Sequence, residues 1–106
     1  MPMSAHNDKA LTTLKDQLVL NLSLDTGLGN RLEREAGGFM NRLEAQRITQ
    51  QPTKLEKIDA MIELLRTKSD DDFKIFLDML RETNNAVWAD ELQRKATETA
   101  TNFNIN

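Results

Sequence analysis

Between Pro52 and Leu92 the chain carries three short apolar stripes in succession, each preceded by its own helix-start signal. Thr53 stands three residues before Glu56, the spacing at which a hydroxyl and a carboxylate reciprocally cap backbone N–H groups. Leu55, Ile58, Met61, Ile62 and Leu65 then recur at three- and four-residue intervals and predict one buried helical face. Ser69 and Asp72 repeat the capping pair, and the Asp70–Asp72 run complements the positive end of a helix dipole. Phe73, Phe76, Leu77 and Leu80 form the next stripe. Asn84-Asn85 stops that helix and caps another, in which Val87, Trp88 and Leu92 are expected to face inward.

The N-terminal half follows the same period. Leu11, Leu14, Leu18 and Leu22 share one stripe of a helix expected from about Asp8, with Asn7 or Asp8 at its start. The spacing tolerates a kink at Val19–Asn21, because Ser23 restarts local capping. A second helix is expected from about Asp25 to Ala36 on Leu24, Leu28 and Leu32, weakened by Gly27 and Gly29 at roughly 1 kcal/mol each relative to alanine. Gly37-Gly38 ends it. Asn41 then caps a short third helix using Leu43, Ala45 or Gln46, and Ile48, and Pro52 closes that helix by pushing its predecessor out of helical geometry. Five or six such helices with short connections predict an all-α antiparallel bundle. It spans residues 8–97, with a flexible N-terminus at 1–7 and a flexible, Thr/Asn-rich tail at 98–106.

Composition narrows the chemistry. There is no cysteine among the 106 residues, which removes disulfides, thiolate metal sites and cysteine nucleophiles together. Residues 1–53 hold six basic and six acidic side chains, and residues 54–106 hold eight and eleven. Neither half has the dense positive field that nucleic acid requires. No apolar run reaches the ~18–20 residues of a membrane span. The N-terminal residues have neither a basic leader nor an apolar core, so a cytoplasmic protein is expected.

Each candidate site has a plainer explanation. His6 is the only histidine and stands in the expected mobile terminus, where no partner orients it for catalysis or metal binding. Asp70-Asp71-Asp72 are consecutive, whereas a calcium loop alternates its oxygen ligands, so capping is the preferred role. Gly27-Leu28-Gly29 is a fragment of a phosphate loop at best, with no strand before it. Phe73, Phe76 and Trp88 lie on apolar stripes without basic interleaving and read as core, not as a base-stacking platform. No base, nucleophile and electrophile occur together, so no catalytic residue, cofactor or metal is expected, and the chain does not read as an enzyme.

Several local motifs together resemble a caspase recruitment domain over about Leu11 to Leu92. Gly38-Phe39-Met40-Asn41 resembles the family's opening of its third helix, and Pro52-Thr53 resembles the Pro-Thr before the fourth in several members, including the apoptosome scaffold protein. Asp72-Phe73 to Leu77 resembles the aromatic-rich start of the fifth helix. Leu80-Arg81-Glu82-Thr83 with Trp88-Ala89-Asp90-Glu91-Leu92 resembles the ending seen among initiator caspases and their adaptors. The chain departs from the pattern at Ser69-Asp70-Asp71-Asp72, where many members have Gly-Pro, and at Trp88, where a leucine or other smaller apolar residue is more common.

The resemblance implies a six-helix Greek-key bundle of the death-fold type. It also implies homotypic association, with the first and fourth helices of one domain meeting the second and third of another through opposite charges. The partner implied is another such domain, in a caspase or adaptor of apoptotic or inflammatory signalling, or a second copy of the chain in an oligomer or filament. On that expectation Lys9, Lys15, Lys54 and Lys57 form a basic face, and Asp25, Glu33, Glu35 and Glu44 an acidic one. Asp16, Asp59, Arg31 and Arg34 interrupt both patches. Without the resemblance, the same residues describe a small helical structural or regulatory protein with solvated charges.

Overall fold

The computed structural model describes residues 3–23 and 40–105, and these are all-helical, with no strand among them. Five helices occur in the order α1 (Ala5–Asn21), α2 (Arg42–Thr49), α3 (Lys54–Leu65), α4 (Asp70–Glu82) and α5 (Ala86–Ile105). The helix expected over Asp25 to Ala36 lies outside the described residues, as do Gly37-Gly38 and Phe39.

Three of the four internal starts form through side-chain caps. The Asn41 side chain accepts from the Glu44 backbone N–H while Glu44 accepts from that of Asn41, a complete capping box. Ser69 and Asp72 make the same reciprocal pair at α4. At α3 the Thr53 hydroxyl accepts from the Glu56 N–H and its own proton goes to the Glu56 carboxylate. At α5 the carbonyl of Asn85 accepts from Trp88 and Ala89, while its side chain is used elsewhere.

The bundle is built around α1. It packs against α3 and α5, with α4 against α5 and α2 against α3. Side-chain bonds give the directions. Asp8 meets Arg66 and Lys15 meets Asp59, so α1 and α3 run antiparallel. Glu44 meets Lys68, which sets α2 antiparallel to α3. Arg81 meets Asp90 across the corner between α4 and α5. Leu11, Leu14, Leu18 and Leu22 are all buried, as are Ile58, Met61, Ile62, Leu65, Phe73, Phe76, Leu77, Leu80 and Leu92, and they form one core. Trp88 packs half-buried on its edge.

Three apolar side chains expected inside are outside. Leu43, Leu55 and Val87 are 69%, 46% and 65% exposed. Leu43 and Val87 stand two residues before the buried Ala45 and Ala89, about 200° round the helix from them. Leu55 lies in the first turn of α3 and lines an open groove with Val19 and Ala60 instead of entering the core.

The helix ends also differ from expectation. The first helix starts at Ala5 rather than Asp8, and it runs to Asn21 as one continuous helix. Met3 is buried and belongs to the core, so residues 3–7 pack with the bundle. The last helix continues beyond Thr97 to Ile105, supported by Ala96 in the core and by Arg94 pairing with both Glu91 and Glu98.

Both ends of α1 are tied by polar clamps. At the start, Asp70 Oδ1 accepts from the Ser4 N–H, the Ser4 hydroxyl and Asn7 Nδ2, each at 2.9 Å. At the far end, Asn85 Oδ1 accepts from the Ser23 N–H, and Asn85 Nδ2 donates to the carbonyls of Ser23 and Thr83. Asn84 makes this corner possible with φ 63°, a left-handed conformation that asparagine tolerates better than most residues. Replacing Phe76 with alanine is expected to lower the free energy of unfolding by about 3–5 kcal/mol, as a large cavity at a fully buried site requires. Asn85→Ala, which removes the side-chain bonds that join Asn85 to the Ser23 backbone, is expected to cost about 1–3 kcal/mol. Urea denaturation followed by Trp88 fluorescence measures both.

Candidate functional site

Five of the eight charged side chains expected to form the two faces lie among the described residues. Lys15 projects from α1 onto α3, where its Nζ lies 2.8 Å from Asp59 and 3.2 Å from Glu63. Glu63 also accepts from Arg66, 3.1 Å away, and Arg66 Nε donates to Asp8 at 2.7 Å. Asp8, Arg66, Glu63, Lys15 and Asp59 thus form one ladder across the α1–α3 seam, two cations held by three carboxylates. Antiparallel packing places the rungs in register. Asp59, Glu63 and Arg66 share one side of α3 through four- and three-residue spacing.

Lys54 and Lys57 are three residues apart and share a different side of α3. Lys57 is two residues from Asp59, about 200° away, so it turns from the ladder. Lys9 and Lys15 are six residues apart and about 120° apart around α1. Lys9, Lys54 and Lys57 make no ion pair among the described residues. The four lysines therefore do not converge. Of the acidic set, Asp25, Glu33 and Glu35 lie outside the described residues. Glu44 is committed twice, to the Asn41 backbone in the capping box and to Lys68 at 2.9 Å.

These contacts perturb the proton affinities of the groups that make them. Lys15 holds its proton more tightly than usual, first because of its hydrogen bond to Asp59 and then that to Glu63. Glu63 is held below the ordinary carboxylate range by Lys15, with Arg66 adding to it. Glu44 is lowered chiefly by the Asn41 N–H and then by Lys68. Asp70 is lowered chiefly by the Ser4 N–H. All these groups face water in part, so each pair contributes only about 0–1 kcal/mol.

Glu63 and Arg66 are not singled out by the sequence reading, and Asp8 only as a helix start, although the i, i+3 spacing of Glu63 and Arg66 is a visible signal. The pairing of Asp8 was not recognisable, because its partner is 58 residues away in sequence. His6 is not isolated: its Nε2 lies 3.2 Å from the Ser4 hydroxyl. The three consecutive aspartates diverge, Asp70 toward α1, Asp72 to the cap and Asp71 to solvent. Among the described residues no group of three or more acidic or histidine side chains is placed to hold a metal ion, and no helix is long and apolar enough to cross a membrane.

Among known proteins, no family model, curated protein or solved structure gives a significant match to this chain.

Glu63 has a folded pKa below its unfolded value of about 4.3, so its stabilisation is complete above that value and is lost as pH falls through the folded pKa. Lys15 behaves oppositely: its contribution is complete below its unfolded value of about 10.4 and is lost as pH rises through the folded pKa. Stability is therefore expected to be flat between about pH 6 and 9 and to decline on either side. Glu63→Gln is expected to reduce the acid decline, measured as the urea midpoint against pH. An acid limb of undiminished slope in that variant contradicts the ladder as its source.

Proposed function

We propose that the chain is a helical protein-interaction module of the caspase-recruitment kind, acting by association with another such domain rather than by catalysis. The observation that carries the reading is the agreement between the resembling motifs and the helix boundaries. Asn41 opens α2 with a full capping box, Thr53 opens α3 directly after Pro52, Phe73, Phe76 and Leu77 are buried on the core side of α4, and Thr83 ends α4 before Trp88 and Leu92. The six-helix Greek-key arrangement belongs to the same proposal.

The cations available to a partner are then Lys54 and Lys57 on α3, with Lys9 on α1, because Lys15 is already neutralised by Asp59 and Glu63. Exposed charges of this type steer encounter and select partners more than they supply affinity. Glu44 is a poor probe, since its substitution also removes one of the two bonds of the α2 capping box.

The test mixes the chain with recruitment domains of an initiator caspase and of the apoptosome scaffold protein, read by co-elution and by electron microscopy for filaments. Binding is expected to weaken at least about tenfold in Lys54→Glu/Lys57→Glu, and to fall in about 1 M salt, where the Debye length is about 3 Å. Failure to bind any recruitment domain at low salt, with the chain remaining a monomer, overturns the proposal. It leaves the alternative, a small helical structural or regulatory protein.

A further inference from the structure

We propose that residues 3–7, which lead into α1, are a detachable strap, fastened over the seam between α4 and α5 by one carboxylate oxygen, Asp70 Oδ1. Three donors converge on that atom, the Ser4 N–H, the Ser4 hydroxyl and Asn7 Nδ2, each at 2.9 Å. Ser4 occupies the N-cap position of α1, yet its side chain makes no capping bond to its own helix. Its hydroxyl proton is directed across to α4 instead. Asp70 is itself the first residue of α4, so one anion stands at the N-termini of two helices, where both dipoles favour negative charge.

What the strap covers is apolar. Met3 is inserted in the core at 8% exposure. His6 and Asn7 form one wall of a groove of about 310 Å³, whose other lining includes Phe73 and Leu77 of α4 and Ala96 and Ala100 of α5. Lifting residues 3–7 removes one wall of this groove.

The remainder of α1 is attached by other means. Leu11, Leu14 and Leu18 are buried in the core, and Asp8 and Lys15 are paired with Arg66, Asp59 and Glu63 on α3. Residues 3–7 can therefore open without dismantling the helix behind them. Segments held by few contacts open at lower free energy than the core. The strap rests on this geometry alone and is independent of the recruitment-domain reading.

Hydrogen exchange by mass spectrometry on the full chain tests this, comparing wild type with Asp70→Ala and the milder Ser4→Ala. Expected is about tenfold or faster exchange of the Asp8, Lys9 and Ala10 amides, with the Ile58–Leu65 amides unchanged. Asp70→Ala is also expected to raise the fluorescence of an added hydrophobic dye while Trp88 emission stays native. Unchanged exchange in the first turn overturns the strap. So does equal acceleration of Ile58–Leu65, which makes Asp70 a contributor to global stability instead of a local fastening. Should Asp70→Ala fail to fold, the Ser4→Ala comparison decides by the same two criteria.

Discussion

The fold depends on burying one side of α1 between two helices that arrive from distant parts of the chain. The Leu11, Leu14, Leu18 and Leu22 stripe has no apolar counterpart within α1 itself, and it becomes dry only when α3 and α5 close over it. Full burial of such side chains is worth about 1.5–3 kcal/mol each, far more than any exposed ion pair here. That burial fixes that α1 is central. It leaves sliding along the helix axis less constrained, and the polar clamps address this. Asp70 holds the beginning and Asn85 the end, each through groups that lose their hydrogen bonds if α1 shifts by a turn.

The charged exterior follows from that placement. With α1 antiparallel to α3, Asp8 falls beside Arg66 and Lys15 beside Asp59 and Glu63, and the facing surfaces neutralise one another internally. Lysines that look equivalent in a linear reading become unequal. Lys15 must break two contacts before it can meet a partner, whereas Lys54 and Lys57 need break none among the described residues. A surface for association assembled from α1 and α3 is thus more nearly balanced than the count of lysines on those helices suggests.

Much of the core was legible in the sequence because helical periodicity is a local property. The stripes Leu11–Leu22, Ile58–Leu65 and Phe73–Leu80 are buried as the spacing predicts, and the caps at Asn41, Thr53 and Ser69 are made by the residues with the right chemistry. The misplaced residues mark where local patterning stops informing. Val87 and Leu43 are apolar, but they lie on the opposite side from Ala89 and Ala45, and which side turns inward is decided by the neighbouring helix. Likewise the early start of α1 at Ala5 comes from a carboxylate 66 residues away from Ser4.

The sequence by itself therefore determined that the chain is helical, where most of its helices begin and which stripes are dry. Capping and periodicity involve residues within about four positions of one another and so are visible locally, although the stripes become dry only when the helices pack. Only the tertiary structure decided that Lys15 and Glu44 are already paired, that Asp70 serves two helices and that Asn85 turns from capping to bridging. Those assignments depend on which side chains come within about 3 Å after packing, and hydrogen-bond energy vanishes over a distance shorter than one helical turn.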